Sequence, residues 1–123
     1  MELVVAAAFM GIVIVAISGL FIGLRQSNTT ANSYTIATQV AQQLMERYRN
    51  TPYSAIAVGT SDVTTSALGS YPSLHAPRTA TVTVTQVDPA GLKRVDIAIS
   101  YTDRTGTRRA QLTTLIAAKG VNK

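Results

Sequence analysis

The chain has 123 residues, enough for one compact domain, of which 46% are hydrophobic and 14% are charged. Soluble domains carry about 25% charged residues, so this composition is unusual for a purely soluble protein. The absence of cysteine excludes disulfides and cysteine-ligated metal centres, and the single histidine, His75, leaves little material for a metal site or a Ser–His–Asp triad. We therefore expect no enzyme and no cofactor. The net charge of +5 leaves acidic partners such as nucleic acid or anionic cell surfaces open.

Residues 1–24 form the first predicted element, an apolar helix. Residues 3–24, hereafter the apolar segment, carry no charge, and Ser18 is their only polar side chain. As a helix they span about 33 Å, enough for the hydrocarbon core of a bilayer. A signal-peptide core is shorter and follows a basic start, whereas the residue before this segment is the acid Glu2. A carboxylate at the edge of hydrocarbon is either hydrated at headgroup level or paired with a partner's cation, and both interpretations stay open.

Three glycines, Gly11, Gly19 and Gly23, interrupt the apolar segment. Each lowers helix stability by about 1 kcal/mol relative to alanine. One interpretation is close approach of neighbouring helices, which we favour at Gly11. The other is a soft stretch between Gly19 and Gly23 that can extend or melt.

Residues 25–50 are predicted to continue the helix as an amphipathic half. Apolar residues recur every three or four positions and are widened by three further ones. The stripe consists of Tyr34, Ala37, Ala41, Leu44 and Tyr48, with Ile36, Val40 and Met45 beside it. Pro52 disfavours helical geometry in the residue before it and ends the helix. The second half can thus pack on the chain's own body, while the apolar first half protrudes and needs lipid or other copies of itself.

Residues 51–78 are rich in Gly, Pro, Ser and Thr and are predicted to be an irregular connector, with His75 as a surface residue. From residue 79 to 123 the period changes to two. Three antiparallel strands are predicted, over 79–87, around 95–101 and over 107–117, joined by turns at 88–91 and 103–106. Their inward residues are Ala80, Val82, Val84, Val95, Ile97, Ile99, Tyr101, Ala110 and Leu112, with Thr114 and Ile116 as further candidates, while a threonine-rich face meets water. The predicted fold is α+β: a long helix whose second half packs on a small three-stranded antiparallel meander.

Basic residues cluster at the predicted strand ends: Lys93, Arg94, Arg104, Arg108 and Arg109. One interpretation is a surface for DNA or another anionic partner. The other, which we favour, is a solvated edge that discourages aggregation between strands, because no aromatic residues interleave for stacking on bases.

Glu2 followed by LVVAAAFMGIVIVAISGLFIG, and then a polar helix that ends near TPY, resembles the type IV pilin and type II secretion pseudopilin superfamily. Gly11 matches a frequent glycine of that family, whereas Gly19 stands where major pilins usually have a helix-breaking proline. The stretches IATQVAQQLMERYR and YTDRTGTRR–LTTLIA look like those of small minor pseudopilins. On this resemblance three mature residues and a basic leader, removed by prepilin peptidase, precede Met1. If Met1 is itself the mature start, Glu2 comes three positions earlier than the family's glutamate.

The resemblance implies a structural subunit of a helical extracellular filament, held in the inner membrane before assembly by separate pilus machinery. It also implies that the Glu2 carboxylate neutralises the N-terminal amine of a neighbouring copy and helps to set register. The residues expected in the assembly surface are Glu2, Leu3, Phe9, Gly11, Ile14, Ile17, Gly19, Phe21 and Gly23. The alternative is a minor pseudopilin or a membrane-anchored binding module of a secretion or DNA-uptake system.

Overall fold

A computed structural model describes residues 2–89 and 91–118 and shows an α+β protein. Helix α1 (Glu2–Arg49) is followed by a 3₁₀ turn (Tyr53–Ala55), strand β1 (Gly59–Asp62), helix α2 (Thr64–Leu68) and strands β2 (Thr79–Asp88), β3 (Leu92–Asp103) and β4 (Gly106–Ala117). The expectations for Met1, for Ala90 in the first turn and for residues 119–123 of the body lie outside the described residues. The predicted α+β class is confirmed.

The chain divides into two compact units, with the boundary between Asn32 and Ser33. In the first unit the described residues are helical and none of them is buried. The second unit contains the rest of α1, the sheet and the core. Helix α1 ends one residue before the predicted Asn50, whose N–H still donates to the Glu46 carbonyl at 2.9 Å.

The sheet has four antiparallel strands in the order β1-β2-β3-β4, so the predicted three-stranded meander was wrong by one strand. The added strand is β1, whose four exposed residues, GTSD, pair with residues 81–84 of β2. Segment 51–78, expected to be irregular, therefore contains a 3₁₀ turn, an edge strand and a short helix. Sequence reasoning recognises a strand by the alternation of apolar and polar residues. Strand β1 has no such alternation and is defined only by its backbone pairing, so the sequence did not predict it.

The core lies between one face of the sheet and residues 37–45 of α1. The inward predictions for β2 and β3 are confirmed: Ala80, Val82, Val84, Val95, Ile97, Ile99 and Tyr101 are all buried, as is Ala110 of β4. Leu112, Thr114 and Ile116 are partly buried. The core also includes Ile56, Leu68 and Leu74 of segment 51–78, whose burial no periodic sequence pattern predicted. Tyr34, placed in the predicted stripe, is instead 56% exposed, although Ser33 beside it is buried, and the apolar side chains of α1 that pack on the core begin at Ile36.

Candidate assembly surface

The apolar segment presents large apolar side chains on every side of α1. Fourteen of them are exposed, from 47% at Ile17 to 83% at Leu3, and they include the predicted assembly residues Phe9, Ile14 and Phe21. Elsewhere in the described residues only four large apolar side chains are exposed to a comparable degree: Tyr34, Val58, Val87 and Leu115. A helix that is apolar all round is normally buried in a large core, in a membrane or among other helices. None of the described residues covers the segment.

Length and composition make α1 the one described helix that could cross a membrane. Membrane anchors and signal sequences both have a helix of this kind near the N-terminus.

Ser18, the only polar side chain of the apolar segment, is satisfied within its own helix. Its hydroxyl donates to the Ile14 carbonyl at 2.8 Å. A hydroxyl bonded in this way requires no water, so the segment can be surrounded by hydrocarbon without an unpaired polar group in its middle. The surface is thus apolar in composition, and its one side-chain hydroxyl already has a hydrogen-bond acceptor.

The three glycines of the segment leave open surface on the helix. Apart from the chain neighbours and the local helix backbone, a Cβ atom at Gly11, Gly19 or Gly23 would meet no described atom within 4 Å. The helix is nevertheless regular through all three positions, so no melted stretch is present between Gly19 and Gly23 in the single chain. Small residues of this kind let a second helix approach closely.

Glu2 is exposed and lies in the first turn of α1, where a carboxylate interacts favourably with the positive end of the helix dipole. Glu2 takes part in none of the ion pairs formed among the described residues. The predicted partner, the N-terminal amine of a neighbouring copy, thus stays a prediction.

The structure removes Lys93 from the predicted basic patch. Its side chain is 8% exposed and lies on the core face of β3, in phase with Val95 and Ile97. The amine donates to the carbonyls of Ile56 at 2.6 Å and Tyr53 at 3.0 Å, and it lies 4.1 Å from the centre of the Tyr53 ring. Its position in the alternation of β3 was the sequence signal for this burial.

The four arginines of the predicted patch are exposed but do not form one cluster. Arg94 is paired with Asp96 at 2.9 Å, and its neighbour on β4 is Leu115. Arg108 is 3.5 Å from Asp103 and belongs, with Arg104 and Arg109, to the β3–β4 hairpin end. At about 3.4 Å per residue, the six steps from Arg109 to Leu115 place Arg94 roughly 20 Å from that end.

The described residues contain no group of three or more acidic or histidine side chains that could hold a metal ion, and His75 is exposed in the loop before β2. A groove of about 260 Å³ lies between residues 40–47 of α1 and residues 66–71. Its polar lining is formed by Gln43, Arg47, Ser66, Ser70 and Tyr71, so neither a carboxylate nor a histidine lines it.

Comparison of the chain with protein-family models, curated proteins and solved structures finds no match.

Proposed function

We propose that this protein is a structural subunit of a helical, type IV pilus-like filament, formed by packing of the apolar segments of many copies. The observation that carries the proposal is the apolar segment itself: fourteen large apolar side chains, exposed on all sides, with the one internal hydroxyl already bonded. Fully burying a side chain of this size stabilises by roughly 1.5–3 kcal/mol, so the segment is strongly unstable in water.

Two environments remove such an apolar surface from water. Before assembly the surface lies in the hydrocarbon of the inner membrane, which the segment is long enough to span. Outside the membrane, other copies of the same helix bury it, because none of the described residues of the chain covers it. A copy that leaves the bilayer must therefore enter a bundle, and a heterologous contact that does not close extends this bundle into a fibre.

Glu2 gives the packing its register in this proposal. A carboxylate at the end of an apolar bundle is stable only next to a cation, which a neighbouring copy's N-terminal amine supplies. A copy placed out of register leaves both charges unpaired and is disfavoured. Gly11 contributes close approach between neighbouring helices.

The second candidate is a membrane-anchored module or a minor subunit, which the apolar segment supports equally well as an anchor. Its binding surface would be the hairpin end with Arg104 and Arg109, both exposed. In that case the chain stays in the membrane fraction and is absent from, or rare in, extracellular filaments.

The test replaces Glu2 by Ala in cells that produce the protein, with filaments sheared from the cells and quantified. We expect at least a tenfold loss of filament, with an unchanged amount of the chain in the membrane. Glu46→Ala is the matched control, because Glu46 is exposed on the same helix and is paired at 3.1 Å with Arg49. Wild-type yield from Glu2→Ala contradicts the role of Glu2, and a wild-type chain found only in membranes supports the anchored module.

A further inference from the structure

Strands β1 and β4 are the two edges of the sheet, and neither has a second partner strand among the described residues. Strand β4 is twelve residues long, contains no proline and follows β3 without a register shift. Natural proteins usually protect a long edge with proline, bulges or a covering element, because its unpaired N–H and C=O groups can accept another strand. Charged side chains also protect edges, but the two of β4, Arg108 and Arg109, lie at the hairpin end. Among the described residues, positions 110–117 of this edge therefore carry no charge, proline or bulge.

Residues that are paired across the strands lie on the same face of the sheet and form rows from one edge to the other. One row on the face turned away from the core runs Thr60–Thr83–Asp96–Thr113, and the next runs Asp62–Thr81–Ala98–Gln111. A third begins at Leu115 and continues through Arg94 and Thr85, towards Val58 just before β1. The rows therefore define which residues of the two edges stand at the same height.

The two edges carry complementary residues. Leu115 stands in the row that runs towards Val58, and the row of Asp62 ends at Gln111, one same-face position from Arg109. The only charged side chain of β1 is that of Asp62, and the charged side chains of β4 are both basic, Arg108 and Arg109. Val58 is 57% exposed at one edge and Leu115 is 58% exposed at the other. Opposite charges and matching apolar residues at the two edges of one chain fit a second copy of that chain.

We propose that β4 of one copy pairs with β1 of the next copy, so that the sheet continues from subunit to subunit. This inference rests on the proposed filament function. Four alternating antiparallel strands mean that a copy displaced sideways presents its β1 antiparallel to β4, as in a continuous sheet. The pairing is heterologous, with different edges in contact, and therefore propagates rather than closing.

Continuing the rows gives the contacts. Thr113 lies opposite Thr60 of the neighbouring copy, and Leu115 lies beside Val58 of that copy. Arg109 is diagonal to Asp62 of the neighbouring copy, a separation of about 7–8 Å between Cα atoms that a long side chain bridges. A strand of four residues is too short to hold two copies together alone, so this contact adds to the packing of the apolar segments.

Cysteine cross-linking tests the pairing directly, because the chain has no cysteine of its own. In Thr60→Cys/Thr113→Cys, the two thiols of one chain are separated by three strand spacings, about 14 Å, which excludes an intrachain disulfide. Mild oxidation of filaments should give a ladder of dimers, trimers and higher species on non-reducing gels. Thr60→Cys/Thr107→Cys is the control, because Thr107 is on the same strand and face but about 20 Å from residue 113.

Filaments of the Thr60→Cys/Thr113→Cys variant that give no more cross-linking than the control overturn the edge pairing and leave the filament function intact. Cross-linking of residue 113 only to a different protein also overturns it. Failure of the wild-type chain to form any filament overturns the proposed function instead, so the two failures are distinguishable.

A charge cycle gives a second readout that does not depend on cysteine variants assembling. Asp62→Asn retains an oxygen for the Thr64 N–H, which the Asp62 Oδ1 now accepts at 2.8 Å. Asp62→Asn and Arg109→Gln should each lower filament yield about two- to fivefold, the range expected for a cross-strand ion pair. The double variant should lose no more than either single variant, and Arg94→Gln should retain the wild-type yield. Additive losses in the double variant contradict the pairing.

Discussion

The buried amine of Lys93 holds the 3₁₀ turn against the sheet. It donates to two carbonyls, those of Tyr53 and Ile56, and the Tyr53 carbonyl also accepts from the Ile56 N–H at 3.3 Å. Lys93→Met keeps the length of the side chain but removes both charge-assisted hydrogen bonds, including the buried one to the Ile56 carbonyl. We expect the free energy of unfolding to fall by about 2–3 kcal/mol, measured by urea denaturation of the full chain in detergent micelles.

Arg94→Met is the control for this prediction. Arg94 is the next residue on the same strand, but its side chain is half exposed and forms a surface ion pair with Asp96. Surface pairs of this kind contribute at most about 1 kcal/mol. Equal losses for the two variants would show that the Lys93 contacts are not the source of the stability.

Three aspartates make the stability of the body depend on pH. The pKa of Asp96 lies below its ordinary value, first because the Thr113 hydroxyl donates to the carboxylate at 2.6 Å, and further because of Arg94. Hydrogen bonds from neighbouring threonines likewise lower the pKa of Asp62 and of Asp103. A carboxyl whose pKa is lower in the folded state contributes stability above its unfolded pKa, near 4, and loses it as pH falls through the folded pKa.

We therefore expect the free energy of unfolding to be level above about pH 5 and to decline below pH 4. Asp96→Asn should reduce the steepness of this decline, since it removes one of the three titrating groups. Urea denaturation in micelles at a series of pH values between 7 and 2.5 measures the slope. The same slope in the variant as in the wild type would contradict the contribution of Asp96.

The helices and strands that could be predicted from the sequence were those in which apolar residues recur at regular intervals. Strands β2 and β3 were placed within a few residues because valine and isoleucine alternate with polar residues. Strand β1 was missed because none of its residues is buried, so its position depends only on backbone pairing with β2. Lys93 was assigned to the surface by its charge, although the alternation of β3 places it inward, where two backbone carbonyls compensate its burial.

The turn between β2 and β3 depends on Gly91. This residue has φ +120°, which side chains with a Cβ rarely adopt, and a Cβ there would lie 2.8 Å from the Ala118 Cβ. Gly106, in the turn between β3 and β4, has a similar φ of +125° but open space around it. Gly106→Ala should thus cost only backbone strain, about 1–3 kcal/mol, whereas Gly91→Ala should cost more.

Adding Ala118→Gly to the Gly91→Ala variant separates the two causes. Removal of the Ala118 methyl group relieves the close contact and should recover part of the lost stability, down to the cost observed for Gly106→Ala. Thermal unfolding followed by circular dichroism is a sufficient measurement. A second substitution that recovers nothing would mean that backbone strain accounts for the whole effect.

For the molecule as a whole, the candidate assembly surface was predictable from composition because one segment holds most of the exposed apolar side chains. What occupies that surface depends on other molecules, and a single chain carries no signal for their identity beyond the pattern around Glu2. The edge complementarity of β1 and β4 could not be predicted, because it requires the register of a strand that sequence did not reveal.

The division at Asn32 predicts that the body folds without the apolar segment. Every residue of the buried core lies at or after Ala37, and none of the described residues before Ser33 is buried.

A chain that begins at Asn32, whose side chain can cap the remaining helix, should therefore be soluble without detergent. Its free energy of unfolding should differ from that of the full chain in micelles by no more than about 1 kcal/mol. It should also no longer sediment with membranes and should add nothing to filaments, because it retains the sheet edges but lacks the apolar segment through which we propose that copies pack. A shortened chain that is unfolded, or that aggregates through its edges at micromolar concentration, would show that the apolar segment stabilises or shields the body directly.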